Sequence, residues 1–492
     1  MTSLAGLPHQ GVAAASRHDR YHVGRMIDLK LLREDPDQFI QGAAAKGVDV
    51  DIPRLLELDQ QRRELLQQQE ALRAEQKKLG KETGPMIGKL KGQLKGAEDS
   101  NVATLQAEIA ELEARPAALK QQIQELDDLL LAIEPEWKTI QLKIPQPPDA
   151  DVPLGKSAED NVEIRRWAPD DWDWNKSFQE NRGFEPKTHL ELVNDLGLVD
   201  FERGVKVAGS RSYVMTGNGM LLHQAILAMG MQHITQDHGF RATSVPVLVR
   251  EQAMVGTGFF PGGIEQTYHI DADSTPGPGQ DLYLTGTGEV GLMSLHSDEI
   301  VEANQLPMKY ATVSTCFRRE AGAAGKDTAG LYRIHQFDKV EQVVIDKADE
   351  ETSRAHHQAM ISIVENLLQS LQLPYRLLQC CTGDLGSKNA DMIDIECWIP
   401  GRGEEDANGR PTGEFGETHS ASRLYDFQCR RLNLRYRDDK GKTVFCHSLN
   451  NTVVASPRIL IPIIEMHQQA DGSIQIPEAL RPFMNGCERI GN

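Results

Sequence analysis

The stretch that decides the fold is Cys316-Phe317-Arg318-Arg319-Glu320-Ala321-Gly322-Ala323-Ala324-Gly325-Lys326-Asp327-Thr328-Ala329-Gly330-Leu331-Tyr332-Arg333-Ile334-His335-Gln336-Phe337-Asp338-Lys339-Val340-Glu341. It reads as a strand from Thr312 to Glu320, a loop of small residues, and a second strand from Tyr332 to Ile345. Alternate side chains of a strand share a face, so Arg318 and Glu320 point together. Arg333, His335, Phe337, Lys339 and Glu341 do the same on the second strand. A solvated face with compensating charges explains a lone Arg-x-Glu. It does not explain Phe337 set among those charges.

Outward from this hairpin, the chain from about residue 154 alternates short strands with helices. Tyr283–Thr285, Met392–Ile399 and Leu432–Tyr436 read as strands, and Leu221–Gln236 and Ala355–Leu371 as helices. The fold class is α+β, built on an antiparallel sheet flanked by helices. Neither G-x-x-x-x-G-K-[ST] nor G-x-G-x-x-G occurs, which excludes P-loop and Rossmann nucleotide sites. Thr287 and Glu289, two apart after the strand Asp281–Leu284, offer a hydroxyl and a carboxylate to an ammonium group. Glu417-Thr418-His419-Ser420 supplies oxygen ligands of the kind that bind Mg²⁺. Asn450 and Thr452 share a strand face. Ser456 then suits an N-cap and Pro457 the first helical position, which puts Arg458 at a helix N-terminus, where phosphate binding is favoured.

Toward the N-terminus the pattern changes. Leu58, Leu65, Leu72 and Leu79 recur every seven residues, as do Leu105, Leu112, Leu119, Leu126 and Ile133. This is the heptad signature of a coiled coil, read here as an imperfect antiparallel hairpin, with Pro116 kinking or breaking the second helix. Gly84, Gly88, Gly92 and Gly96 predict a loose tip. The tip carries Lys77, Lys78, Lys81, Lys89, Lys91 and Lys95 against Glu82. Some 40 helical residues would carry it roughly 60 Å from its base. The chain as a whole is acidic, with a formal net charge of −19, so this tip is where it would meet phosphates on a large RNA. The expected organisation is an extension over residues 1–25 that is disordered, a helical domain carrying the coiled-coil arm over 26–144, a proline-stiffened linker over 145–153, and an α+β domain over 154–492. No apolar run long enough to span a membrane is present. The seven scattered cysteines contain no C-x-x-C pair, which suits a reducing, cytoplasmic setting.

The run from Cys316 to Glu341 closely resembles motif 2 of the class II aminoacyl-tRNA synthetases, in the form found in the seryl enzymes. The segment 448–458 resembles motif 3, and His238–Val249 resembles motif 1, the family's dimer interface. Thr287-Gly288-Glu289 is similar to the family's serine-binding T-A-E, with Gly288 replacing Ala and Gly291 standing where Pro is usual. The family often carries a basic residue near position 391, for which Lys388 is the candidate substitute.

The resemblance implies serine–tRNA ligation in two steps. Serine reacts with ATP to give seryl-adenylate and pyrophosphate, and the seryl group then passes to tRNA(Ser), and by the same resemblance to tRNA(Sec). It implies that Arg318 and Arg458 are catalytic. Arg318, Arg319, Glu320, Ile334, Phe337, Glu417, Thr418, His419, Ser420 and Arg458 would bind ATP. Thr287, Gly288, Glu289, Arg318, Glu341, Asn450 and Thr452 would bind serine. Glu417 and Ser420 would hold Mg²⁺, and the six lysines would contact tRNA. It also implies a homodimer.

Overall fold

The computed structural model describes residues 26–271, 281–322, 329–407 and 409–491. The expected extension over 1–25 and the loop Ser274–Gln280 lie outside the described residues. Two units form, one of residues 50–144 and one of residues 26–49 with 145–491. The short helices α1 (Leu29–Glu34) and α2 (Pro36–Ala45) therefore belong in space with the larger unit.

The first unit is a pair of helices, α3 (Ile52–Leu94, 43 residues) and α4 (Asp99–Lys143, 45 residues). Ion pairs run Arg54 to Glu136, Arg62 to Glu134, Arg73 to Asp127 and Lys91 to Glu113, so one number falls as the other rises and the helices are antiparallel. The heptad leucines bury the seam: Leu58 and Leu119 are fully buried, and Ile109, Ile123 and Leu130 nearly so. Polar seam positions find partners. The Arg62 guanidinium lies 4.5 Å from the Trp137 ring centre, and Gln69 donates to Asp127 at 2.5 Å.

The break allowed for at Pro116 does not occur, and the loop expected at the tip is helical. The helix α4 continues through Pro116, and α3 continues through Pro85 and the glycines to Leu94. In a helix of this length each proline costs one ladder bond, and the packed seam on either side outweighs that local loss. A Cβ added at Gly84, Gly88 or Gly92 would meet nothing within 4 Å, so these glycines mark an open face rather than a loop.

In the second unit an eight-stranded sheet forms from β1 (Val162–Trp167), β2 (Arg241–Ala242), β3 (Met308–Phe317), β4 (Gln336–Asp346), β5 (Tyr375–Gln379), β6 (Asp391–Ile399), β7 (Glu414–Tyr425) and β8 (His447–Ser456). Their order is β1-β5-β6-β7-β8-β4-β3-β2, antiparallel except for the short edge strand β2, which runs parallel to β3. Helix α5 (Gly217–Gln232) packs on β8, β4 and β3, and α7 (Glu350–Ser370) on β7 and β8. Between these two in sequence comes the short α6 (Glu289–Ser294). The apolar faces meet in one large core containing Leu222, Ile226, Val340, Val344, Val364, Leu368, Ile395 and Val453.

The stretch read as a linker is packed. Gln146 and Asp149 donate backbone N–H groups to Ser387 and Ala390, and the Asp149 carboxylate pairs with Arg423, which is 1% exposed. A buried guanidinium needs a counter-charge, and Asp149 joins Asp391 (2.9 Å from Arg423) in supplying it.

Strand ends also shift. β3 stops at Phe317 and β4 starts at Gln336, so Arg318, Glu320, Arg333 and His335 leave from turns and do not obey strand alternation. Ser456 is the last residue of β8 and does not cap a helix; its hydroxyl lies 2.7 Å from His223 Nδ1. The following helix α8 spans Leu460–Met466, so Arg458 precedes it instead of standing in its first turn.

Candidate active site

β4 carries Phe337, Lys339 and Glu341 on one face, and β8 runs beside it with Thr452 opposite Glu341. The register slips between Val340 and Glu341 because β8 has one extra residue, Val453, there. A second bulge in β7, at Thr418, leaves Ile395 opposite His419 and Glu396 opposite Glu417. Bulges break strict alternation and re-aim side chains. That is why the consecutive residues Glu417, Thr418 and His419 all line one cleft.

This cleft spans about 510 Å³, counting space open to solvent, and is also lined by Arg318, Glu320, Ile334, Phe337, Lys339, Thr452 and Arg458. Arg318 lies over the Phe337 ring at 5.2 Å, with its backbone N–H held by His335 O at 2.9 Å. Glu320 has a left-handed backbone (φ +53°) and accepts from Arg333 at 2.7 Å. Arg458 donates to the carbonyls of Tyr332 (3.2 Å) and Glu417 (3.1 Å) and stacks 4.5 Å from the Tyr332 ring centre. Two guanidinium groups and the rings of Phe337 and Tyr332 thus share a half-open cleft, a set suited to a nucleoside polyphosphate. Burial pushes the His419 imidazole down to about 3, so it is neutral there.

A polar cluster adjoins this cleft through Lys339. The Lys339 ammonium donates to Thr287 Oγ1 at 2.8 Å and pairs with Glu341, while Thr287 donates to Glu341 at 3.1 Å. Glu289 opens α6 and is 3% exposed, held by Lys388, Gln428 and Asn450. The Gly288 substitution has a reason in packing, since a Cβ there would stand 2.5 Å from Thr312 Cγ2. Gly291 similarly leaves room for Val245, whose Cγ2 would lie 2.6 Å from an added Cβ.

Behind Glu417 the carboxyl groups crowd. Asp394, opposite Ser420 on β6, is raised well above the usual carboxylate range by burial and by the Glu417 charge. Among the described residues Asp394 Oδ1 is buried without a hydrogen-bond partner.

Most sequence-selected residues therefore converge. Arg319 does not line the cleft: it is exposed, and its backbone N–H donates to Gln266 O. Ser420 is not among the lining residues and pairs with Asp394 on the neighbouring strand. The six arm lysines are all exposed. Tyr332, Arg333, Lys339 and Gln428 had no site role in the sequence reading, although Arg333 and Lys339 stood in its charged strand face. The alternation Phe337-x-Lys339-x-Glu341 contains the signal for Lys339. The contacts of Gln428 and Arg333 cross turns and have no local signature.

Sequence profiles of two families match the chain: the seryl-tRNA synthetase N-terminal domain over residues 26–148, and the tRNA synthetase class II core domain (G, H, P, S and T) over 270–467. The serine–tRNA ligase of Deinococcus radiodurans is 39% identical over 466 residues, covering 95% of this chain and 99% of that one. The chain belongs to the seryl-tRNA synthetase family. The Streptomyces coelicolor serine–tRNA ligase is 40% identical, covering 94% of this chain and 98% of its own. Among solved structures, seryl-tRNA synthetase from Pyrococcus horikoshii complexed with ATP superposes with a TM-score of 0.73 at 33% identity, over 94% of this chain and 99% of that one. The cytoplasmic serine–tRNA ligase from Naegleria fowleri in complex with AMP gives 0.76 at 26% identity, over 94% and 98%. This family membership accounts for both units together, the helical hairpin and the class II sheet.

Proposed function

We propose that this chain is an ATP-dependent serine–tRNA ligase. The observation that carries the reading is the meeting, on β4, of a cleft bearing Arg318, Phe337 and Arg458 with the Thr287–Lys339–Glu341 and Glu289–Asn450 clusters. ATP lies with its adenine against Phe337, its exocyclic amine toward Glu320, and the Ile334 backbone along its edge. Thr418 and His419 form the cleft wall. Arg318 neutralises the α-phosphate and Arg458 the γ-phosphate. Serine places its ammonium at Glu289 and its hydroxyl at Thr452, beside Gly288, Glu341 and Asn450.

The serine carboxylate attacks the α-phosphorus in line, and pyrophosphate leaves. The terminal adenosine hydroxyl of tRNA(Ser) then attacks the acyl carbon and AMP leaves. Catalysis rests on positioning and on charge neutralisation. A site that hydrogen-bonds the substrate hydroxyl rejects alanine, because its own buried polar groups would be left unpaired.

The crowding of Asp394 against Glu417 suits a divalent cation, since hard cations take carboxylate and hydroxyl oxygens. Glu417 and Ser420 would hold Mg²⁺, which supplies charge neutralisation to the polyphosphate when bound. The exposed arm lysines Lys77, Lys78, Lys81, Lys89, Lys91 and Lys95 serve tRNA phosphates. Exposed apolar residues around the motif 1 segment and its neighbours (Leu248, Leu295, Ile300, Val313) support a homodimer. Among the described residues no helix is long and apolar enough to cross a membrane, and the reading places the enzyme in the cytoplasm.

Serine-dependent ATP–pyrophosphate exchange followed by serylation of total tRNA tests this directly. Both activities are expected, with alanine and threonine inactive. Exchange without charging would overturn the tRNA half of the reading, and no exchange with any amino acid would overturn the whole.

A further inference from the structure

Glu289 carries an unusual load for a side chain meant to greet an incoming ammonium. The Lys388 ammonium donates to both of its oxygens, at 2.7 and 2.6 Å. Gln428 donates to Oε1 at 2.7 Å, and Asn450 donates to the same atom. An ionised carboxylate offers about four acceptor positions. Among the described residues Oε1 thus receives three donors and Oε2 one, so the free capacity lies on Oε2.

Lys388 is itself fixed in three ways. Its side chain is 15% exposed, and its ammonium lies 4.2 Å from the Phe259 ring centre, a cation–π contact that holds the charge in place without competing for the carboxylate. The turn bearing it is held from below by Lys46, which donates to Gly386 O at 3.1 Å and to Asn389 O at 2.5 Å, on either side of Lys388. Lys46 is 8% exposed and follows helix α2. A chain of contacts therefore runs from the N-terminal segment, through Lys46 and the 386–389 turn, to Lys388 and Glu289.

We propose that Lys388 is a positioning residue that sets amino-acid affinity: it locks the Glu289 carboxylate so that one Oε2 acceptor position is presented to the substrate ammonium, and Lys46 holds the turn that delivers it. The proposal rests on the serine-activation reading. A carboxylate free to rotate would present its oxygens in many orientations, and the substrate would have to order it on binding. Lys388 does that ordering in advance. It is not among the residues that line the nucleotide cleft, so its removal is expected to act on amino-acid binding and not on ATP binding.

The test is ATP–pyrophosphate exchange on the full-length protein with Lys388→Met, Lys388→Arg and Lys46→Met, reading KM for serine, KM for ATP and kcat separately. Lys388→Met is expected to raise the serine KM about tenfold or more while ATP KM and kcat move less than about threefold. Lys388→Arg, which keeps the charge and the donors, is expected to recover most of the loss. Lys46→Met is expected to raise the serine KM in the same direction by a smaller factor. An unchanged serine KM in Lys388→Met overturns the proposal. So does an equal rise in the serine and ATP constants, which marks general loosening. If the wild-type protein exchanges with another amino acid instead of serine, the serine reading fails, and the same ratio read on that amino acid still decides the role of Lys388.

Discussion

Arg333 donates a 2.7 Å hydrogen bond to the carboxylate of Glu320, thirteen residues earlier in the chain. Glu320 sits in a left-handed turn, so its direction is set by this partner and not by strand geometry. Arg333→Met is expected to raise the ATP KM about tenfold, equivalent to roughly 1.4 kcal/mol, with little change in the serine KM. Exchange kinetics at varied ATP check it; equal effects on both substrates would contradict the assignment.

On the proposed reading Arg318 holds the α-phosphate and Arg458 the γ-phosphate. Arg318→Ala is expected to lower kcat by roughly 10²–10³, the usual cost of removing one preorganised charge-stabilising donor. Arg458→Ala is expected to act more strongly on ATP binding than on kcat. Single-turnover formation of adenylate separates the two.

Arg423 sits between Asp149 and Asp391, with a side chain only 2% exposed. Against the effect of burial, the Asp391 carboxyl is held down to about 2 by His357 first and then by the Arg423 charge. Arg423→Leu leaves two acids facing each other and is expected to cost about 3–5 kcal/mol. Urea unfolding followed at neutral pH measures it.

Mild acid should destabilise the larger unit through a buried imidazole. Burial pushes the His467 imidazole down to about 4 from an ordinary 6.5. Between these values the unfolded chain binds more protons than the folded one, so stability is full above pH 6.5 and falls as pH drops toward 4, by at most roughly 1.4 kcal/mol per pH unit. His467→Gln is expected to flatten that part of the melting-temperature profile. A slope unchanged by the substitution would point to another group.

The arm lysines offer a clean separation of steps. Replacing Lys77, Lys78 and Lys81 with Ala is expected to raise the KM for tRNA about tenfold, weaken the salt dependence of charging, and leave exchange untouched. Filter binding of tRNA at two ionic strengths checks the salt term.

Sequence periodicity was enough for the hairpin, because a seam of leucines has few other uses, and Leu58 and Leu119 are indeed fully buried. It left open a kink or a break at Pro116, and the helix does not break there, because the packing on either side outweighs the local cost. Strand alternation correctly joined Phe337, Lys339 and Glu341. It assigned Arg318 and Glu320 to a strand that ends at Phe317, since turn geometry is set by contacts made elsewhere. The bulge at Thr418 was invisible for the same reason: an extra residue shows only against its partner strand. The contact of Lys388 with Glu289 spans 99 residues and depends on a turn held by Lys46. No local pattern encodes such a meeting.

Phe337 and Glu341 stand four residues apart on an uninterrupted length of β4, whose pairing with β3 is regular throughout. At about 3.3 Å per residue that separation is roughly 13 Å. On the proposed reading, adenine rests at one end and the amino acid at the other, so a single backbone acts as a gauge for the aminoacyl nucleotide. Side chains at either end can be exchanged and the gauge keeps its length. Inserting or deleting one residue between them would change the length and turn one end to the far face of the sheet. Evolution can therefore retune which amino acid is accepted at the Glu341 end without disturbing the nucleotide end, provided the spacing is kept.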